Sequence, residues 1–372
     1  MSEPTPPTSL QAALPKDMYV DRKHWERERD HVLYGEWFCV GRRDDLGLDS
    51  PGRVAVLDVV GESVIVTSDD MRRLHAAYNV CRHRGSQLYP TDPGGGGARC
   101  AAGALRCPYH SWTYSLAGEL LRAPHTEGLD PAGFRLHPVG LGEWAGFLFV
   151  HLSPERESAA LDDALAVPGQ RLANYAMADL VTGHTLTYDV AANYKVLAEN
   201  YNECYHCGPV HPELCRLVPA FAGGGSRLDW ANGVPHRDGA WTFTISGTTT
   251  RAPLPGLDEA ERTRHKGELV YPNLMLSCSA DHVAAFVLWP LDVDRTRVEC
   301  SLLFSREEVA AETFDPSDAV ELWDLVNKQD WAICESVQRG MTSRAYRHGW
   351  FAEMEDDSLD IRRWLLPRLE GA

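Results

Sequence analysis

No apolar run in the 372-residue sequence approaches the ~20 residues that cross a bilayer; the longest are Trp144–Val150 and Val283–Leu291. A membrane-spanning helix is therefore not expected. Positive charge is also scarce, with 36 Lys and Arg against 53 Asp and Glu, a formal net charge of −17. Excess basic surface is what binds phosphate backbones and anionic lipid, so nucleic acid and membrane are not expected as main partners. The opening stretch, residues 1–15, is rich in Pro, Ser and Thr and has neither a basic nor an apolar segment. No secretory leader is expected, and the setting is read as cytoplasmic. There is no G-x-G-x-x-G turn between a strand and a helix; the glycine run Gly94–Gly97 lacks that context and reads as a surface insertion. No nucleotide-linked electron donor is expected within the chain.

Cysteine and histidine are plentiful, at 10 and 15 residues. In a cytosolic setting they point to ligands or free thiols before a disulfide framework. Apolar residues at 44% and charged residues at 24% describe an ordinary globular protein, and the length suggests two domains. Residues 1–39 read as a lead-in with short helices that pack on a catalytic domain. Short β-rich runs at Val54–Leu57, Val64–Thr67, Leu74–Asn79, Ala104–Arg106, Trp112–Tyr114 and Trp144–His151 indicate a small antiparallel β domain over 40–155. Residues 156–372 mix helical patterns at 158–176, 193–206 and 316–342 with strand-like runs at Gly183–Val190, Trp241–Ser246, Asn273–Ser277, Val283–Trp289 and Val298–Phe304. The fold class is α+β: an antiparallel β domain, then a helix-flanked antiparallel sheet.

Two constellations carry chemistry. The first pairs Cys81-Arg82-His83 with Cys107-Pro108-Tyr109-His110. Each half offers one thiolate and one imidazole on a β scaffold. A zinc site of two Cys and two His is one reading. A Rieske [2Fe–2S] centre, with two thiolates on one iron and two imidazoles on the other, suits the mixed pairs better. Cys100, between the two halves, is a spare ligand or a loop thiol.

The second lies in Glu199–His211. Glu203 and His206, three apart, are expected on one helix face, and Gly208-Pro209 breaks the helix so that His211 folds back toward His206. Two such histidines and one carboxylate form the triad that holds Fe(II) with positions open for O2. The third ligand is sought in the 316–342 helix. There Asp330 falls in an apparent apolar stripe of Trp323, Val326, Ile333, Val337 and Met341, whereas Asp324 and Glu335 lie off it. A buried carboxylate needs a partner or a cation, so Asp330 is a metal ligand or half of a salt bridge.

The motifs Cys81-Arg82-His83-Arg84-Gly85 and Cys107-Pro108-Tyr109-His110-Ser111-Trp112-Thr113-Tyr114, with Glu203-x-x-His206-x4-His211 and Asp330 ahead of Cys334–Gly340, resemble the large subunit of the Rieske non-haem iron oxygenases. The gap from His83 to Cys107 is longer than usual for that family. The disulfide of respiratory Rieske proteins has no counterpart at Ser86 and Tyr109. The resemblance implies that Cys81, His83, Cys107 and His110 hold the cluster. It also implies that His206, His211 and Asp330 hold mononuclear Fe(II), and that Glu203 bridges a cluster histidine of one subunit to an iron histidine of the next. A homotrimer, a separate NAD(P)H-dependent reductase with flavin and iron–sulfur centres, O2 and a small organic substrate are implied partners.

The context Glu-Cys-Tyr-His-Cys around His206 looks most like the glycine betaine, choline and carnitine monooxygenase branch, which oxidises a carbon beside a quaternary nitrogen. Tyr201, Tyr205, Trp230, Trp241, Phe243 and Trp289 are candidate aromatic walls, and 219–270 is expected to cover the entrance. An aromatic-ring dioxygenase subunit and a Rieske electron carrier are the alternatives.

Overall fold

The computed structural model describes residues 10–90, 99–101, 103–153, 160–225 and 228–370. The run Gly94–Gly97 lies outside the described residues, as does the side chain of Cys100. The chain forms two compact units, Leu33–Ala164 and a second built from Met1–Val32 together with Leu165–Ala372. The α+β fold class holds.

The strands of the first unit pair antiparallel, with the short helical turns Pro131–Phe134 and Leu161–Ala164 beside them in the chain. Four strands run in the order Leu74–Tyr78, Glu62–Ser68, Arg53–Val59, Arg99–Cys100, three more in the order Gly140–Trp144, Phe147–His151, Phe38–Arg42, and three short ones, Ala104–Arg106, Thr113–Ser115 and Leu120–Arg122, form a meander. Arg53–Val59, Glu62–Ser68 and Phe147–His151 are buried over runs of four or five consecutive residues, and Val54, Val56, Ile65, Leu105, Trp112, Tyr114 and Leu136 form a core that also contains Cys81 and Cys107. Both cysteines are thus anchored in the core of the unit.

The second unit has a six-stranded antiparallel sheet in the order Leu180–Val190, Arg295–Ser305, Val283–Asp292, Leu274–Cys278, Arg264–Val270, Val234–Pro235. Val283–Pro290 is buried at every position, which explains its unbroken apolar sequence. The helices Tyr194–Tyr201 and Ser317–Met341 pack together beside it. Two features depart from the sequence expectations here. The helix beginning near 193 ends at Tyr201, before Glu203 and His206. Trp241–Ser246 is not a strand: the Thr244 hydroxyl receives the Gly247 N–H, Trp241 N–H donates to Gly247 O, and the segment closes into turns. The strand Arg264–Val270 and the helix Asp360–Glu370 were not anticipated.

The N-terminal segment is fastened to the catalytic unit by buried charge. The Lys195 ammonium lies 2.8 Å from the Glu28 carboxylate with both side chains at most 1% exposed, and it sits over the rings of Tyr19 and Tyr194. Removing one partner of such a pair leaves the other charged and dry. We expect Lys195→Met to cost about 3–5 kcal/mol. Glu28→Gln combined with Lys195→Met should recover much of that. Urea midpoints decide; a single variant as stable as the parent would show that the pair does not anchor the segment.

Candidate metal centres

In the β unit, Cys81 and Cys107 are buried, whereas His83 is exposed and His110 half-buried. The sulfurs therefore face the core and the imidazoles face the surface. Local sequence explains the arrangement. Ser111, at φ 61, turns the chain so that Ser111 N–H returns to Cys107 O and Cys107 N–H reaches Trp112 O. On the other loop Gly85, at φ 75, closes a turn onto Cys81 O. The Tyr114 hydroxyl accepts Arg82 N–H at 3.1 Å and lies within hydrogen-bond reach of Cys81 Sγ at 3.3 Å. Burial raises the Cys81 thiol, and this hydrogen bond opposes the shift. The His83 and His110 rings are 4.6 Å apart, and Trp112 stacks flat on His83 at 4.9 Å. His110 Nδ1 is enclosed without a hydrogen-bond partner. A buried acceptor left bare is costly unless a metal takes it. Two inward thiols and two converging imidazoles fit a [2Fe–2S] centre of the Rieske type.

In the catalytic unit His206, His211 and Asp330 form the cluster of potential ligands found among the described residues. His206 Nε2 is 3.2 Å from His211 Nε2 and 3.2 Å from Asp330 Oδ1, and His211 Nε2 is 2.8 Å from Asp330 Oδ1. Three atoms each about 2.1 Å from one ion lie about 3.0 Å apart on an octahedral face and about 3.4 Å apart in a tetrahedron. The observed separations, 2.8–3.2 Å, are short enough for the three atoms to share one ion.

Both histidines are oriented through their other nitrogen. His206 Nδ1 meets Glu203 Oε1 at 2.6 Å, and His211 Nδ1 meets Gln329 Oε1 at 2.8 Å. Gln329 is in turn held by Glu213. Fixing Nδ1 leaves each Nε2 for a metal. Burial disfavours charge on His206, but Asp330 and Glu203 outweigh it and raise its pKa to about 10. The same negative field favours a cation among the three ligand atoms.

Glu203 does not share a helix face with His206, as the spacing suggested. It lies in the turn after Tyr201, where its Oε2 accepts the N–H groups of Tyr205 and His206. That carboxylate ends one helix and starts the next turn. The apolar stripe also needs correction. Ile333 and Val337 are exposed, while Cys334 and Gln338 are buried in their stead. Asp324 and Glu335 have other partners, Tyr188 and Lys328 for the first, Ala191 N–H and Arg339 for the second. Gln329 and Glu213 gave no signal in the sequence beyond their places next to Asp330 and His211.

The triad opens into a cavity of about 460 Å³. Of the six expected aromatic walls, Tyr201, Trp230 and Phe243 line it; Phe221, Phe286, Trp323 and Trp331 join them. Trp323 packs against Phe243 and Phe286 at 5.6 and 5.7 Å with steep interplanar angles. Its indole N–H donates to His282 Nε2 at 2.8 Å, and His282 Nδ1 meets the buried Asp281 at 2.8 Å. That chain ties the indole N–H back, away from solvent. Asp229, Glu268, Asp357 and Asp360 also line the space, and Arg171, paired with Glu268 at 2.9 Å, is the one Lys or Arg among the described lining residues.

Comparison with known proteins agrees with this geometry. Glycine betaine monooxygenase oxygenase subunit of Pseudomonas aeruginosa is 28% identical, over 92% of this chain and 85% of that protein. Carnitine monooxygenase oxygenase subunit of Acinetobacter baumannii is 29% identical, over 90% and 86%. The crystal structure of the quaternary ammonium Rieske monooxygenase CntA superposes with a TM-score of 0.77 at 25% identity, covering 97% of this chain and 96% of that one. No helix among the described residues is long and apolar enough to cross a membrane. The model of the Rieske [2Fe-2S] domain matches residues 36–133, and that of the ring hydroxylating alpha subunit (catalytic domain) matches 177–371. The second match alone spans more than half of the 372 residues, so the chain belongs to the ring-hydroxylating alpha subunits of the Rieske non-haem iron oxygenases.

Proposed function

We propose that this chain is the terminal oxygenase of a cytoplasmic monooxygenase system that oxidises an N-methyl group, or a carbon beside the nitrogen, of a small quaternary ammonium compound such as glycine betaine. Oxidation at an N-methyl carbon gives a hemiaminal that loses formaldehyde. The observation that carries the proposal is the cavity at the triad, where aromatic faces and carboxylates surround the space with one paired arginine. A trimethylammonium group has no hydrogen to donate. It is held by ring faces and by negative charge, and both are present. An aromatic acid, an anion near neutral pH, would gain stacking but its carboxylate would be repelled by those lining the cavity.

Cys81, His83, Cys107 and His110 are the proposed cluster ligands and His206, His211 and Asp330 the proposed iron ligands. When bound, the two centres deliver electrons and activate O2 for insertion into a C–H bond. The residues around them do the rest. Glu203 and Gln329 hold the imidazoles in one tautomer. His282 holds Trp323 as a fixed wall. Glu203 touches His206 Nδ1 with one oxygen, and in a homotrimer its carboxylate would link that ring to a cluster histidine of a neighbouring subunit. Inter-subunit electron transfer is described for a solved quaternary ammonium Rieske monooxygenase of the same fold, which supports this route. Electrons come from a separate NAD(P)H-dependent reductase.

Asp330→Ala should lose the mononuclear iron and turnover while the visible spectrum of the cluster persists. Retained iron and activity would make Asp330 the wrong carboxylate. Glu203→Gln should keep both centres full but slow single-turnover oxidation of the reduced cluster by about 100-fold or more, beyond the usual effect of losing one orienting partner. Parental rates in that variant would reject the bridge. Oxygen uptake with a surrogate reductase should respond to betaines, carnitine or choline and not to aromatic acids. Trp323→Ala should raise KM for the cation by roughly 2- to 30-fold, the worth of about 0.5–2 kcal/mol of cation–π contact, with a smaller change in kcat. Uptake driven by aromatic acids alone would overturn the substrate class.

A further inference from the structure

His206 is flanked by two cysteines that none of the chemistry above uses. In Cys204-Tyr205-His206-Cys207 the Cys207 N–H closes a turn onto Cys204 O at 3.1 Å. The turn brings the sulfurs together: Cys207 Sγ is 2.6 Å from Cys204 Sγ, inside the contact distance of two unbonded sulfurs. A disulfide needs about 2.05 Å, so bonding requires only a small further approach. Both thiols are buried, at 8% and 3%, yet both line the cavity at the triad. Cys215 and Cys334 are not among its described lining residues. The turn is backed by Gly225, where an added Cβ would come within 2.6 Å of Cys204 Cβ, so glycine leaves the room that Cys204 occupies.

We infer that Cys204 and Cys207 are a reversible oxidation site, converted to an intramolecular disulfide by hydrogen peroxide reaching them through the substrate cavity. Cys204 attacks first, being the more exposed sulfur and the acceptor of the Cys207 S–H. Its sulfur bonds to one peroxide oxygen, the O–O bond breaks, and the thiol proton leaves with the other oxygen as water. Cys207 sulfur then bonds to Cys204 sulfur, the S–O bond breaks, and the hydroxyl departs with the Cys207 proton as a second water. Two thiols are oxidised by two electrons and one peroxide is reduced to two waters. A small dithiol reverses the change by exchange. The covalent link spans His206 and closes the turn from which Glu203 and His206 project. The inference is independent of the organic substrate.

The test uses the full chain, before and after hydrogen peroxide, alkylated under denaturing conditions and digested with trypsin. Cleavage after Lys195 and Arg216 places Cys204, Cys207 and Cys215 in one peptide. The reduced protein should carry an alkyl group on all three cysteines. After peroxide only Cys215 should be labelled, the peptide should be lighter by two hydrogens before alkylation, and dithiothreitol should restore full labelling. Cys215→Ser should keep the cross-link and Cys204→Ser abolish it. Full labelling after peroxide, oxygen added to sulfur without a cross-link, or a bond to Cys215 would each overturn the proposal. The reading on the parent chain does not depend on whether a variant folds.

Discussion

Two imidazole nitrogens and one carboxylate oxygen meet within about a hydrogen-bond length of one another, and much of the catalytic unit serves that meeting. Asp330 is 119 residues from His211, so no local rule brings them together. The Ser317–Met341 helix carries the carboxylate, the turn after Tyr201 carries His206, and the break at Gly208-Pro209 returns His211. A lone buried carboxylate is expensive, and without the two rings Asp330 would be driven toward its neutral form by burial. The hydrogen bonds of Glu203 and Gln329 then fix which nitrogen of each ring faces it. Ligand position and ligand tautomer are thus set by different elements.

The β unit solves a different problem by polarity of placement. Its sulfurs are anchored in the core and its imidazoles turned outward, so the charged side of a cluster is shielded and the neutral side is presented. Trp112 does double duty, filling the core and stacking on His83. A rigid ring against an outward histidine limits its reorientation.

Much of this could be read from residue spacing, and the failures have physical reasons. The strands of the β unit announce themselves as short β-rich apolar runs between Gly and Pro breaks, and several are buried at consecutive positions. The triad residues could be named because His and Asp on a buried surface are costly unless they bind something. The helix carrying Asp330 misled in detail, since it buries more than one face. Trp323 and Trp331 line the cavity, while Gln338 reaches Asn193 N–H and Tyr19 O on another side. A single apolar stripe is then a poor description, and Ile333 and Val337 fall outside it. Glu203 misled because a side chain bonded to the backbone N–H groups two and three residues on looks, in sequence, like a helical neighbour. Gln329 and the His282–Asp281 pair left no trace, because a polar residue that orients another is chemically ordinary until its partner is seen.

The division of the chain has a consequence for biogenesis. The cluster-bearing unit is one continuous stretch, Leu33–Ala164, flanked on both sides by parts of the other unit. As the polypeptide leaves the ribosome, that stretch can close on its own and receive its cofactor while the catalytic unit is still being made. The segment before it has to wait. Glu28 has no ammonium to meet until Lys195 has been synthesised, 167 residues later. Asp17–Val20 and Arg22–Glu28 are too short to hold as helices alone, so in a nascent chain this segment takes its shape only after the unit it packs on has been made.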